Sequence, residues 1–317
     1  MKVIFLEPVY KDYIWGGDKL KKELNKKVPY DRVAESWEIS SNDNGICKII
    51  NSEYGVNNLK ELFELQQYRK SIFGNKCMDL KEFPLLIKFI DAKENLSIQV
   101  HPDDESAKKM GMINGKSEMW YVLQCSSDGK IIGGIKENLK KEELKTIIEN
   151  DNIYEYLNFV QIRKGDSIYI PSGTVHAILK DTLICEIQQN SDVTYRVYDW
   201  NRKDINGKQR KLNKKEAIEV INSKNKVEII HDDKNNICQN IVDCEFFNVQ
   251  RIICKKYYKD ISNNDTFYAI NIIEGKGILK TKDESYDIEK GNSFLIPSSL
   301  GSYELFGDMV ILKSYII

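Results

Sequence analysis

Four residues with metal-ligand chemistry lie on three short segments of the chain. Gln99 and His101 stand two apart in one segment, Glu118 lies in a second, and His176 ends a third. Two imidazoles and a carboxylate suit zinc or another borderline divalent cation, and the amide of Gln99 can add a neutral oxygen. The set predicts one bound divalent cation, zinc or another borderline metal, with coordination positions left open.

Each segment has the period-two pattern of a β-strand. Residues 96–101 place Ser97, Gln99 and His101 on one face and apolar residues on the other, and Lys116 shares a face with Glu118. For a metal site, the apolar face must contact covering elements while the polar face lines a wet interior.

Taken singly, the same residues have ordinary structural explanations. His101 could cap the turn at Pro102, Lys116 and Glu118 could form an exposed pair, and His176 could belong to a structural turn. Taken jointly they favour the metal site, because two of the chain's three histidines fall in this set. The third, His231, lies in a polar stretch and is expected at the surface.

The elements that must position these residues are mainly short strands separated by Gly, Asn and Asp turns. Three segments have helical spacing instead, at about 56–74, 137–158 and 213–223. The sequence therefore predicts a mainly β fold with a few inserted helices.

An internal repeat indicates how the strands are organised. Residues 164–176 (KGDSIYIPSGTVH) are echoed by residues 290–302 (KGNSFLIPSSLGS), where Ser302 stands in place of His176. The first copy resembles the second motif of the cupin barrels. We therefore expect two cupin (jelly-roll) barrels: a metal-binding domain over 1–223, a connection at 224–240, and a C-terminal domain without metal ligands over 241–317.

Length and composition set the broad class. The 317 residues exceed one ordinary domain, and 41% hydrophobic residues suffice for a core. A net charge of −1 excludes nucleic-acid binding driven by bulk charge, and no apolar run is long enough to cross a membrane. The seven cysteines form no CxxC pair, so neither a disulfide framework nor a thiolate zinc site is indicated. We expect a cytoplasmic monomer or homodimer.

Seven stretches together give a more specific resemblance. They are residues 13–17 (YIWGG), 35–40 (ESWEIS), 84–91 (PLLIKFID), 99–103 (QVHPD), 116–121 (KSEMWY), 171–177 (PSGTVHA) and 186–200 (EIQQNSDVTYRVYDW). Over about residues 10–202 the chain resembles the short bacterial form of the type I mannose-6-phosphate isomerases.

The resemblance implies reversible interconversion of mannose 6-phosphate and fructose 6-phosphate on a zinc enzyme. It implies Gln99, His101, Glu118 and His176 as ligands and Arg196 as the active-site arginine. It also places Lys88, Lys116, Glu186 and Asp192 in active-site segments. Ser97, Lys88 and Glu186 are expected to bind substrate.

Aldose–ketose isomerisation through a cis-enediol needs a base, stabilisation of the enediolate and an anchor for the phosphate. Lys116 is the first candidate for proton transfer because it is two residues from Glu118. Arg196, expected on the strand face of Asp192, could stabilise the enediolate, bind phosphate or form only a structural ion pair. Asp192 is a candidate for opening the sugar ring.

Three other functions stay open from the sequence. A metal cupin could act on another phosphosugar, or be an iron-dependent oxygenase, although few histidines are available for the latter. A double cupin could also bind sugar without catalysis.

Overall fold

A computed structural model describes residues 1–136, 138–203 and 206–317. The strands, in chain order, are β1 (Ile4–Glu7), β2 (Val9–Lys11), β3 (Glu35–Ile39), β4 (Lys48–Ile49), β5 (Leu85–Ala92), β6 (Ile98–Val100), β7 (Glu118–Gln124), β8 (Lys130–Ile135), β9 (Leu157–Gln161), β10 (Ser167–Ile170), β11 (His176–Ile178), β12 (Thr182–Gln189), β13 (Tyr195–Tyr198), β14 (Glu228–Ile230), β15 (Cys238–Asp243), β16 (Asn248–Ile261), β17 (Tyr268–Lys280), β18 (Ser285–Glu289), β19 (Ser293–Ile296) and β20 (Ser302–Tyr315). The mainly β prediction is confirmed.

The helices are short. They are α1 (Lys19–Leu24), α2 (Leu59–Glu64), α3 (Gln66–Tyr68), α4 (Asp104–Lys109), α5 (Lys141–Glu149) and α6 (Lys214–Val220), with a π-turn at Arg69–Phe73 and 3₁₀ turns at Asn75–Cys77 and Ile153–Tyr156. The three expected helical segments hold α2 with α3, α5, and α6, each shorter than its sequence pattern. The expected start of the second, Glu137, lies outside the described residues. Helices α1 and α4 were not expected, because six residues give too little periodicity to recognise.

The strands form three antiparallel sheets. The seven-stranded sheet has the order β14-β10-β7-β12-β5-β3-β2, and the five-stranded sheet has the order β13-β6-β11-β8-β9. The third is an eight-stranded sheet of order β15-β16-β20-β17-β19-β1-β4, with β18 paired to β17.

The seven-stranded and five-stranded sheets share one apolar core. Trp120 and Val122 of β7 belong to the same buried cluster as Ile131 of β8 and Ile178 of β11. The functional residues of β6, β7 and β11 are therefore held by two sheets around one interior.

Helices cover the outer face of the five-stranded sheet. Ile98 and Val100 of β6 pack in one cluster with Leu144 of α5 and Ala217 of α6. This leaves the alternate residues of β6 free to face the interior, as the period-two pattern requires.

The division at residues 224–240 stays a prediction. The sheets do not follow it strictly, since β1 pairs with β19 and so joins the chain's first strand to the C-terminal part. The expected connection also contains β14, which pairs with β10 of the seven-stranded sheet. Strand pairing between distant segments cannot be read from local patterns, which explains the difference.

Candidate metal centre and active-site cavity

Strand pairing brings the predicted ligand residues together. His176, the first residue of β11, pairs directly with Gln99 of β6, and Gln99 Nε2 lies 3.4 Å from His176 Nε2. Glu118 begins β7 in the facing sheet, where its two carboxylate oxygens lie 3.2 Å from His176 Nε2 and 3.4 Å from His101 Nε2. The ligand atoms of the two histidines and Glu118 all lie within 4.8 Å of one another.

The surroundings of this cluster fit a divalent cation. His101, Glu118 and His176 are at most 1% exposed, and no contact of the Glu118 oxygens with the described residues has hydrogen-bond geometry, although Oε2 is ion-paired with Lys116. His176 Nδ1 lies 2.9 Å from the carbonyl of Thr174, which favours the tautomer that donates there and leaves Nε2 free to bind a metal. Two imidazoles, a carboxylate and the neighbouring Gln99 match the donor set of zinc.

Lys116 is a buried cation against this cluster. Its Nζ lies 3.0 Å from His101 Nε2 and 3.0 Å from Glu118 Oε2. Burial and the Lys116 ammonium hold the pKa of His101 well below its usual value. Burial alone would raise the pKa of Glu118, but Lys116 and the two histidines outweigh it and lower that pKa strongly. The histidine is therefore neutral and the glutamate ionised, as metal ligands must be.

A cavity of about 310 Å³ opens beside the cluster, and Gln99 and Lys116 form part of its wall. Its other lining residues come from the seven-stranded and five-stranded sheets, here called the site sheets, and from loops at their edge: Lys11, Tyr13, Trp15, Glu35, Trp37, Asn44, Lys88, Ile90, Leu96, Ser97, Ile178, Glu186, Asp192, Thr194, Arg196 and Arg210. Within this wall lie all the sequence-predicted catalytic and substrate residues.

Lys88 and Glu186 form a buried ion pair in the cavity wall. They face each other on adjacent strands β5 and β12, with Lys88 Nζ 3.1 Å from Glu186 Oε1. Glu186 also accepts a hydrogen bond of 2.8 Å from Trp120 Nε1. Although burial opposes the charge, Glu186 and Glu35 raise the pKa of Lys88, so Lys88 stays an ammonium. Lys88 is thus a fixed positive charge and unsuited to act as a base.

Arg196 projects from β13 into the same cavity, and its Nε is buried without a hydrogen-bond partner among the described residues. Burial and the neighbouring Arg210 guanidinium lower its pKa. Arg210 is already paired with Asp199, so Arg196, with its unpaired Nε, is the guanidinium left to bind an anionic ligand.

Arg196 and Asp192 line the same cavity but do not share a strand face as expected, because β13 begins at Tyr195 and its period-two pattern does not extend back to Asp192. Asp192 instead accepts a hydrogen bond from Asn44 Nδ2 at the cavity edge. Ser97 lies on the strand face expected for it, and its hydroxyl Oγ is 3.3 Å from Gln99 Oε1.

Sequence reasoning missed several residues of the cavity wall. Glu35 and Trp37 lie in a stretch that carried the family resemblance, yet no role was assigned to them. Glu35 Oε2 is 3.9 Å from Lys88 Nζ and accepts a hydrogen bond from Trp37 Nε1. Arg210 lies in a polar loop without a recognisable motif, where it makes a bidentate ion pair with Asp199 at 2.6 and 2.7 Å. Its position depends on that tertiary contact.

Two remaining expectations concern the surface and the membrane. The side chain of His231 is 59% exposed, and its Nδ1 lies 2.7 Å from Asp166 Oδ1, so it takes no part in the metal cluster. Among the described residues, no helix has the length and apolar character needed to cross a membrane.

Comparisons with known proteins agree with this geometry. The family model for the catalytic domain of type I phosphomannose isomerase matches residues 3–128, and that for the mannose-6-phosphate isomerase cupin domain matches residues 236–316. Mannose-6-phosphate isomerase ManA of Bacillus subtilis is 37% identical, over 99% of this chain and 98% of the relative. A mannose-6-phosphate isomerase of Streptococcus mutans is 34% identical, over 98% of each chain.

Solved structures show the same architecture. The crystal structure of mannose 6-phosphate isomerase from Bacillus subtilis superposes with a TM-score of 0.90 at 33% identity, over 99% of both chains. A variant of phosphomannose isomerase from Salmonella typhimurium shares the fold at a TM-score of 0.81 and 15% identity. With its fold, its cluster and relatives that match along almost the whole chain, this chain belongs to the type I mannose-6-phosphate isomerase family.

Proposed function

We propose that the protein interconverts D-mannose 6-phosphate and D-fructose 6-phosphate as a zinc-dependent aldose–ketose isomerase. The observation that carries the proposal is a buried His-Glu-His cluster beside a small cavity with three buried or half-buried cations, Lys88, Lys116 and Arg196. A phosphorylated sugar carries the negative charge that these cations attract. Its carbonyl group would be polarised by a metal held in the His-Glu-His cluster.

His101, Glu118 and His176, with Gln99, would hold one Zn²⁺ per chain. When bound, Zn²⁺ supplies a Lewis acid that polarises a carbonyl and the neighbouring hydroxyl without redox chemistry. This suits a reaction in which a proton moves between adjacent carbons and no electrons are exchanged with a cofactor.

Lys116 is the residue we assign to proton transfer. Its Nζ lies against the metal ligands and in the cavity wall, so it can reach the carbon next to the carbonyl of a substrate bound there. As the free amine it would take the proton from C2 of the aldose, and as the ammonium so formed it would return that proton to C1 of the cis-enediol.

Arg196 and Lys88 would bind and stabilise negative charge. The unpaired Nε–H of Arg196 can donate a hydrogen bond to the enediolate or to the phosphate. Lys88, fixed by Glu186, is a permanent charge beside Ser97 in the wall. Asp192, at the cavity edge, would assist opening of the sugar ring.

The decisive experiment assays formation of fructose 6-phosphate from mannose 6-phosphate before and after chelation and addition of Zn²⁺. Activity lost with the metal and restored by Zn²⁺ supports both reaction and cofactor. One equivalent of bound metal without turnover would instead favour another phosphosugar, or a sugar-binding protein without catalysis. Failure to bind any divalent metal would contradict the ligand assignment. The state of assembly, monomer or homodimer, stays a prediction.

A further inference from the structure

A second cavity, of about 470 Å³, lies where the seven-stranded and eight-stranded sheets meet. Tyr121 of β7 and Gly165, before β10, line it from one sheet, while Arg251 and Lys255 of β16 line it from the other. It shares no lining residue with the active-site cavity. The family's reaction gives it no role.

Arg251 is an unusually buried cation, with only 1% of its surface exposed. Its Nε lies 3.0 Å from Asp232 Oδ1, and its Nη2 donates to the carbonyls of Asp233 at 2.6 Å and Asn236 at 3.1 Å. Its Nη1 is buried and has no acceptor among the described residues. Since a guanidinium keeps its charge and a buried unpaired donor is costly, this group is suited to one further anionic partner.

The charges around the cavity are unbalanced. Arg251 is paired with Asp232, and Lys164 is paired with Glu274. Lys234 and Lys255 also line the cavity, and the described part of the chain gives neither an ion-pair partner. Two positive charges are therefore left over, a number that one dianion would neutralise.

Tyr121 adds a neutral donor to this wall. Its side chain is 6% exposed, and burial, together with the Asp232 carboxylate, raises the pKa of its phenol. The hydroxyl therefore stays protonated and can donate a hydrogen bond to an oxyanion.

We propose that this cavity binds a phosphate dianion, free or as a monoester. Lys234 and Lys255 provide the surplus charge, and Tyr121 and the unpaired Nη1 of Arg251 provide hydrogen bonds. Because Tyr121 lies on the strand that begins with Glu118, the bound anion would join the strand of a predicted metal ligand to the C-terminal sheet. It would stabilise the folded protein in proportion to its occupancy.

The test is calorimetric titration of the metal-loaded protein with inorganic phosphate at constant ionic strength. We expect two independent sites, one at each cavity. Arg196→Gln should remove the active-site event alone. The double variant Lys234→Gln/Lys255→Gln should weaken the other event about tenfold, which corresponds to about 1.4 kcal/mol. Both lysines are exposed, so these substitutions leave folding intact.

The double variant Lys259→Gln/Lys280→Gln is the matched control, because it removes the same charge from exposed residues of β16 and β17 that do not line the cavity. It should leave both events unchanged. Glycerol phosphate titrated in parallel separates an esterified ligand from free phosphate by which binds more tightly.

Two results would overturn the proposal. One is a single phosphate site that disappears in Arg196→Gln, and the other is a second site weakened equally by the control. Absence of the active-site event from the unmodified protein, with the second event present, would count against the proposed function and leave this proposal standing.

Discussion

Strands β7 and β10 in the site sheets meet in the same way as β17 and β19 in the C-terminal sheet. In the first pair, Val122 N–H donates to Asp166 at 2.9 Å and Gly165 N–H donates to Val122 at 2.8 Å. In the second pair, Ile272 N–H donates to the Asn292 carbonyl at 2.9 Å, and Gly291 N–H donates to the Ile272 carbonyl at 2.8 Å. Both glycines have a positive φ, 93° and 91°, which residues with a side chain rarely adopt. The repeat in the sequence is thus a repeat of backbone structure.

The two regions differ in what fills the interior. Counting back four residues from Val122 and Ile272, Glu118 corresponds to Tyr268. Where His176 pairs with Gln99, the buried Tyr303 pairs with Asp260. The C-terminal sheet therefore has phenols and one carboxylate where the site sheets have their predicted metal ligands.

A lysine takes part in the C-terminal cluster. Lys313 occupies the position that Glu186 has in the site sheets, since it pairs with Ile270 as Glu186 pairs with Trp120. Its Nζ lies 2.8 Å from Asp260 Oδ2 and 4.7 Å from the Tyr268 ring centre. Tyr303 donates to the same Asp260 oxygen at 2.9 Å. In both clusters a lysine is paired with the carboxylate, since Lys116 Nζ lies 3.0 Å from Glu118 Oε2. The clusters differ in the other partners, because Glu118 is accompanied by two imidazoles with metal-binding nitrogens, whereas Asp260 accepts a hydrogen bond from a phenol. The difference indicates that only the first cluster offers a set of ligand atoms to an external cation.

The largest expected effect comes from removing the carboxylate that distinguishes the site sheets. Glu118→Gln should lower affinity for Zn²⁺ by at least about a hundredfold, because it removes the only anionic donor among the proposed ligands. Activity should fall with metal content, measured by elemental analysis and by isomerase assay. Tyr303→Phe, at the position corresponding to His176, should change neither. Equal loss of metal in both variants would contradict the comparison.

Substitution of Lys116 tests whether the site sheets contribute a proton-transferring group in addition to the metal ligands. Lys116→Ala should lower kcat by about 10²–10⁴-fold, the range for loss of a proton-transferring group, while one equivalent of metal stays bound. Lys130→Ala, at the exposed first residue of β8, is the control and should keep full activity. Undiminished turnover in Lys116→Ala would exclude Lys116 as the base.

Loss of the C-terminal ion pair between Asp260 and Lys313 should lower the stability of the protein without changing its metal content. Asp260→Ala leaves the mostly buried Lys313 ammonium without its carboxylate, so the free energy of unfolding should fall by about 3 kcal/mol. Adding Lys313→Met should restore much of this loss, because the unpaired charge is then removed. Urea unfolding measures both effects. A drop in metal content in Asp260→Ala would show that the two regions are not independent.

The smallest effect concerns a buried carboxylate of the site sheets that lacks a lysine partner like that of Asp260. Asp91 accepts a hydrogen bond of 2.7 Å from the Lys19 backbone, and burial raises its pKa from 3.8 to about 6. The folded state therefore binds the proton more tightly, so its stabilising contribution is complete below pH 4 and is lost as the pH rises through 6.

Asp91→Asn should remove this pH-dependent loss of stability, because the amide does not ionise. The free energy of unfolding of the variant, measured relative to that of the unmodified protein, should therefore rise by about 2 kcal/mol from pH 4 to pH 7. Urea unfolding at both pH values gives the comparison, and an unchanged difference would mean that Asp91 does not titrate in this range.

The echo of residues 164–176 also shows where sequence alignment is misleading. It placed Ser302 against His176, but Ser302 is exposed and the next residue, Tyr303, is buried. The turn after Pro297 runs one residue further before the inward phase resumes, and a shift of one residue exchanges the two faces of a strand. The sequence thus predicted correctly that the histidine has no counterpart, and it identified the wrong replacement.

The residues of the sequence determined the mainly β fold and, through the resemblance of seven stretches, the family, and they predicted Gln99, His101, Glu118 and His176 as metal ligands. The fold and the ligand prediction follow from alternation along single strands and from residue types, which are local properties. Only the tertiary structure decided that β1 joins the C-terminal sheet, that Arg210 reaches Arg196, and that Lys313 takes part where metal ligands stand in the other region. These features depend on pairing between segments far apart in the chain, and pairing is chosen by the whole core.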